Sequence, residues 1–161
     1  MAALVLAAVT GAVYLSGNER RAAQARLGGL VAVEDNRGRA HTATATAEPA
    51  PTSGPHLEGA VCGVQRAPVP PGAQIHALEH GAVALQYRPD ELEPDDVSSL
   101  ESFGAELGDH VLVAPNPSLE VPLMATAWTR RMVLDEVDAA LLRDFATAFR
   151  TRGPESAPCP A

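Results

Sequence analysis

A small α+β domain is the fold class this sequence predicts, and three features predict it. Two apolar runs of strand length, Ala82–Tyr87 and His110–Ala114, are each bounded by Gly or Pro. Between them Val97, Leu100, Phe103 and Leu107 recur at helical spacing. A second helical stripe, Val137, Leu141, Phe145 and Phe149, lies near the C-terminus with Leu142 at its margin. The order strand, helix, strand, strand, helix predicts a small mixed or antiparallel sheet of about three short strands, with two helices packed on it. Long Pro/Gly-rich loops precede these elements.

The elements follow in order. Pro51-Thr-Ser-Gly-Pro-His56 is a tight, shaped loop, because Pro and Gly flank Ser53 on both sides. Val69-Pro-Pro-Gly72 is a second turn. The first strand, Ala82–Tyr87, is stopped by Arg88-Pro89. Pro94-Asp95-Asp96 opens a helix with Pro and acids in its first turn, and Gly108 ends it. The second strand stops at Pro115-Asn116-Pro117. Leu123–Trp128 with Met132-Val133-Leu134 suggests a third strand, bent near Thr129. Asp135 is a suitable N-cap for the last helix, which Gly153-Pro154 closes.

The N-terminal third differs in composition. Residues 1–16 (MAALVLAAVTGAVYLS) are uncharged and mostly apolar, and are read as a membrane anchor or signal segment. They are short for a span, and they lack the basic start of a signal peptide. Arg20 and Arg21 follow on the downstream side, against the positive-inside rule. Residues 17–50 are read as a connector, partly disordered, because the stretch from His41 to Pro51 is poor in bulky apolar side chains. Residues 51–158 are then a single extracytoplasmic domain.

Charge and cysteine usage narrow the function. The net charge is -8, and every basic residue is Arg. Nucleic acid is excluded as a partner, since phosphate backbones need a basic face. Cys62 and Cys159 form no CxxC, so zinc-ribbon and thioredoxin-type readings fail. Outside the cytoplasm they could pair; the alternative is two unpaired thiols.

The chemistry concentrates in His76-Ala-Leu-Glu79-His80-Gly81. Two imidazoles four residues apart share one face of a helix or of a strand. Glu79 beside them is a candidate third ligand, a partner that fixes a His tautomer, or a base. The segment matches H-x-x-E-H, the inverted zincin pattern, but Gly81 and a strand follow at once, leaving room for no more than one helical turn. Glu155 is a distant candidate ligand. His56 could fold back onto the pair, giving a candidate metal set of His56, His76 and His80 supported by Glu79. Such a set suits zinc or copper ions. Met124 and Met132 are candidate thioether donors to Cu(I), and otherwise core residues. His41 and His110 are read as surface or strand-edge residues. The structural alternative for the cluster is a hydrogen-bond network that braces the loop. Trp128 is read as a core anchor, and Arg130-Arg131 as local ion-pair residues with anion binding as the alternative. Ser53 with His56 nearby lacks the strand–turn–helix setting of a nucleophile elbow.

Pro51-Thr52-Ser53-Gly54-Pro55-His56, His76-Ala77-Leu78-Glu79-His80-Gly81, the strand end at Tyr87, Ala125-Thr126-Ala127-Trp128 and Gly153-Pro154-Glu155 occur in this order. Together, over roughly residues 41–158, they resemble the uncharacterised bacterial family catalogued as domain of unknown function 3105. The resemblance implies a single-pass membrane or exported protein with its domain outside the cytoplasm, and it assigns no reaction. The sequence departs from that pattern in lacking a basic cytoplasmic tail, and in having Gln65 and Thr129 where Tyr and Gly are expected. The leading expectation is therefore a membrane-anchored or secreted, non-enzymatic metal-binding protein. A structural or interaction module of the cell envelope is the second, and a metal-dependent hydrolase the third. Neutral imidazole ligands imply that metal binding weakens as pH falls through about 6.5.

Overall fold

The computed structural model describes residues 16–42 and 48–161. The expected anchor or signal segment lies outside the described residues, apart from Ser16. Helix α1 covers residues 16–27, followed by a 3-10 turn at Gly28–Leu30. Strand β1 is Val31–Val33, β2 is Gly63–Val64, and helix α2 is Pro71–Glu79. Then come β3 (Val83–Tyr87), α3 (Pro94–Leu107), β4 (Val111–Pro115), β5 (Leu123–Ala127), β6 (Arg130–Leu134) and α4 (Ala139–Phe149). Among the described residues no helix is long and apolar enough to cross a membrane.

One mixed sheet organises these elements, in the order β1-β6-β5-β3-β4-β2. β1, β6, β5 and β3 run antiparallel in turn, whereas β3, β4 and β2 are parallel. The two central parallel strands are joined through α3. All residues of β3, β4 and β5 are buried, which is why their sequences read as continuous apolar runs rather than alternating ones. Alternation persists in where the side chains go. Val83, Leu85 and Tyr87 join Val111, Val113, Leu123, Ala125 and Ala127 on one face, with Ala23 and Leu27 of α1, Leu100 and Phe103 of α3, and Leu142 and Phe145 of α4. Ala84, Leu112 and Ala114 face the other way and meet Leu78 of α2, with Trp128 at the margin. Helix α2 thus has a face of the sheet apart from the main core.

The α+β class holds, but among the described residues there are six strands rather than about three, and four helices rather than two. Each difference has a local cause. β1 and β2 are edge strands of three and two residues, too short for a hydrophobic period. The single strand expected to bend near Thr129 is the hairpin β5–β6, with Ala127 paired to Arg130 across the turn. α2 shows no amphipathic stripe because seven of its nine residues are buried, Gln74, His76 and Glu79 included. Of the His76–His80 segment, His76–Glu79 form the last turn of α2, and the helix extends upstream of it to Pro71. In α4 the N-cap is Asp138, not Asp135: the Asp138 carboxylate accepts from the Ala140 and Leu141 amides at 2.9 and 3.0 Å. Leu142 is fully buried and lies at the centre of that helix's inner face. Pro94 at the first turn of α3, with Asp95 and Asp96, and Gly108 at its end with φ 73° match the sequence reading.

Cys62 and Cys159 form a disulfide across a separation of 97 residues. In the chain-entropy picture a loop of that length stabilises by about 4–5 kcal/mol. The His110 amide donates to the Cys159 carbonyl at 2.9 Å, so the C-terminal tail is pinned beside β4 by two devices.

Thr129 sits in the β5–β6 turn at φ 58°, a region that a β-branched residue enters only at a cost. Replacing Thr129 by Gly is expected to raise stability by about 0.5–1 kcal/mol, since relief of strain exceeds the loss of the Arg130–Thr129 hydroxyl contact at 2.8 Å. Thermal melting of the variant checks this, with an increase of about 2–5 °C expected.

Candidate metal centre

Three segments deliver the cluster. Pro71 at the first helical position starts α2, Leu78 docks it on the sheet, and Glu79 is its last residue. The chain after α4 then crosses directly over the end of α2. The Glu155 amide donates to the Glu79 carbonyl at 3.0 Å, and the Thr151 amide donates to the Gly81 carbonyl at 2.7 Å. At Gly153 a Cβ would lie 2.0 Å from the Glu79 carbonyl oxygen, so only glycine permits the crossing. The His76–Gly81 and Gly153–Glu155 blocks are therefore one packed unit.

The second segment is the Thr52–His56 loop, and the third is residues 38–42, which run alongside it. Gly54 donates to the Gly38 carbonyl at 2.9 Å, His56 to Ala40 at 3.0 Å, and Thr42 to His56 at 2.8 Å. This short parallel ladder pairs His41 with His56. Ser53 closes the base of the loop: its hydroxyl donates to the Asp35 carbonyl and accepts from the Arg37 amide. Gln74 of α2 donates to the Pro51 carbonyl at 3.0 Å.

His41, His56, His76 and Glu79 offer one donor atom each, all within 4.8 Å of one another, and such a group could hold a metal ion. The rings form a near-equilateral triangle, with centroids 4.8, 5.0 and 5.0 Å apart. In a tetrahedral site with metal–nitrogen bonds of about 2.0–2.1 Å, donor atoms lie about 3.4 Å apart and ring centroids about 5 Å apart. The rings already have that spacing, and modest rotation would bring the donors together.

The other ring nitrogens fix the tautomers. His56 Nδ1 lies 2.9 Å from the Gly54 carbonyl, His76 Nδ1 3.2 Å from the Leu57 carbonyl, and His41 Nδ1 3.0 Å from the Glu58 carboxylate. Each of these oxygens can only accept, so each Nδ1 carries a proton, and in the neutral form of each ring Nε2 is left bare. An N–H held by a carbonyl or carboxylate is the usual outer support of a metal-binding imidazole. His56 Nε2 is 2.9 Å from Glu79 Oε2, yet neither atom makes a hydrogen bond, and both residues are at most 2 % exposed. His41 Nε2 is 3.6 Å from the same oxygen. Glu79 Oε1 faces Arg39 at 3.9 Å instead. Two lone-pair atoms buried at 2.9 Å repel unless a cation lies between them. Burial pushes the His76 imidazole below the ordinary histidine value, with the nearby imidazoles adding to the shift and the Leu57 hydrogen bond opposing it.

Of the residues singled out in the sequence, His56, His76 and Glu79 lie together. The His80 ring is 4.6 Å from that of His76, but its nitrogens are directed elsewhere. Its Nδ1 lies 3.0 Å from the Pro158 carbonyl and its Nε2 4.0 Å from Glu155. The two His of H-x-x-E-H are thus not aimed at one point. Met124 packs with Ala50 and Leu119, and Met132 lies in the main core. His41 was not read as part of the site. It opens the Thr/Ala-rich stretch from His41 to Pro51, which has no periodicity, and only its backbone pairing with the Thr52–His56 loop brings it in.

Replacing Gly153 by Ala is expected to displace the end of α2 and destabilise by about 3 kcal/mol or more, because the added methyl meets backbone rather than a movable side chain. Urea unfolding measures this. An unchanged midpoint would mean that the crossing does not position Glu79.

No curated protein and no solved structure matches the chain. A family match covers residues 39–161, from just before His41 to the C-terminus, and includes all four residues of the cluster. The chain therefore belongs to the family described as Protein of unknown function (DUF3105).

Proposed function

We propose that this chain is a metal-binding protein of the cell envelope that holds one zinc or copper(II) ion through Nε2 of His41, His56 and His76 and a carboxylate oxygen of Glu79. The observation that carries the reading is the buried pair His56 Nε2 and Glu79 Oε2, 2.9 Å apart with no hydrogen bond at either atom. Three imidazoles and a carboxylate suit zinc or copper(II), and the packing of Met124 and Met132 into hydrophobic clusters removes the argument for Cu(I). Four protein donors fill a tetrahedral shell, which favours holding an ion over activating water on it. The disulfide supports placement outside the reducing cytoplasm, and the apolar residues 1–16 support a single-pass membrane anchor there.

Elemental analysis of the purified full chain, stripped by chelator and reloaded, is expected to give about one ion per chain. Glu79→Gln and His56→Ala/His76→Ala are expected to lose affinity by at least about 100-fold, whereas His80→Ala keeps its metal. Negligible uptake by the wild type, or equal uptake by wild type and variants, contradicts the proposal.

A second reading rests on the same distance: a protonated His56 against Glu79 would also relieve the contact, making the cluster a brace for the loop. In that case zinc and copper ions leave the melting temperature of the wild type unchanged. Under the metal reading they raise it, because binding to the folded state alone stabilises it.

The pH dependence follows from the neutral ligands. Protons compete for the bare nitrogens, so metal is retained near neutrality and released as pH falls below about 6.5. In the metal-free chain, the lowered His76 value means that the unfolded chain takes up its proton first on acidification. Stability therefore falls as pH drops below about 6.5, and is unaffected by this group above it. Chelator-free metal retention and urea midpoints between pH 7.5 and 5 check both signs.

A further inference from the structure

A second concentration of charge lies away from the His/Glu cluster. The start of α1, the β5–β6 turn and the end of α4 enclose an open cavity of about 470 Å³. Arg20, Arg21, Arg130 and Arg152 line it, and no Asp or Glu does. Trp128 and Phe149 supply apolar wall between them. This is unexpected in a chain of net charge -8. Of the other eight arginines, six sit within ion-pair distance of a carboxylate: Arg26, Arg37, Arg39, Arg88, Arg131 and Arg143. Among the described residues none of the four cavity arginines does. Arg21 donates to Asn18 at 3.1 Å. Arg130 donates to the Thr129 carbonyl and hydroxyl at 2.8 Å, and its guanidinium stands 6.0 Å from the Phe149 ring centre. Arg130 is thus held in place with further N–H donors left over.

Four arginines lining one cavity without a carboxylate concentrate positive charge there, and that charge is relieved by an anion. Guanidinium forks match phosphate oxygens in pairs, and they stack against aromatic faces. We infer that this cavity is a binding site for a phosphate-bearing ligand, with the arginines on the phosphate and Trp128 and Phe149 against its uncharged part. The phosphate could belong to a soluble phosphate compound or to the headgroup of an anionic phospholipid. The site is independent of the metal cluster.

Trp128 is the only Trp of the chain, so its fluorescence reports on the cavity directly. The full chain is titrated with inorganic pyrophosphate and, separately, reconstituted in phosphatidylcholine vesicles with and without phosphatidylglycerol. The expected result is a saturable change in Trp128 emission that weakens as sodium chloride is raised. Arg130→Gln/Arg152→Gln is expected to weaken it by about tenfold or more, and Arg20→Gln/Arg21→Gln, which leaves the β5–β6 turn untouched, should do the same. Arg88→Gln/Arg143→Gln changes the net charge equally at a distance and should leave it unchanged. A response to pyrophosphate identifies a soluble ligand. A response only to phosphatidylglycerol identifies a lipid headgroup. No saturable response to either probe, or equal weakening in the distant double variant, overturns the inference.

Discussion

A carboxylate oxygen and an imidazole nitrogen, both buried and neither hydrogen-bonded, meet at 2.9 Å between Glu79 and His56. Much of the surrounding architecture serves to hold them there. The Gly54 carbonyl claims the proton of His56 Nδ1, so in the neutral ring the other nitrogen faces Glu79 bare. Arg39 stands near one oxygen of Glu79 and leaves the second to the imidazoles. With a neutral His56 this arrangement costs free energy, and it is relieved by a positive centre, a proton or a metal ion, placed between the two atoms. A metal ion would supply more of that relief than a proton, because it would also engage Nε2 of His41 and His76.

The scaffold explains why the cluster does not relax. Helix α2 has its own face of the sheet, fixed by Leu78 against Ala84, Leu112 and Ala114. Its C-terminal end is clamped by the crossing at Gly153, and the strand that follows begins at Val83, only four residues after Glu79. The Thr52–His56 loop is tied to α2 through Gln74, to β5–β6 through the Thr129 amide on Thr52, and to residues 34–37 through Thr52 and Ser53. The disulfide anchors the tail that carries the Pro158 carbonyl, which receives His80. His80 therefore belongs to the framework of the tail, while its helical neighbour His76 turns toward the cluster.

How much of this was legible depended on which physical signal each part left in the sequence. The two stripes of α3 and α4 and the buried strands β3 and β4 were readable because apolar periodicity, Pro and Gly mark them directly. α2 was not, because its buried face carries Gln74, His76 and Glu79 in place of a hydrophobic stripe. β1 and β2 are too short to leave a pattern and exist through pairing with β6 and β4. The meeting of His56 with His76 was anticipated from two His-bearing blocks. His41 was not, because a residue recruited by a backbone ladder carries no side-chain signature. The four-arginine cavity was equally hidden: Arg20, Arg21, Arg130 and Arg152 come from three separate parts of the chain. The turn of His80 toward Pro158 and Glu155, away from its i+4 partner, shows that i+4 spacing does not by itself decide joint ligation.

The most direct measurement is X-ray absorption at the metal edge of the loaded full chain. A first coordination shell of three imidazole nitrogens and one carboxylate oxygen, at about 2.0–2.2 Å, is the result expected from the geometry of His41, His56, His76 and Glu79. A shell dominated by water or by sulfur, or one unaltered when Glu79 is replaced by Gln, would contradict it.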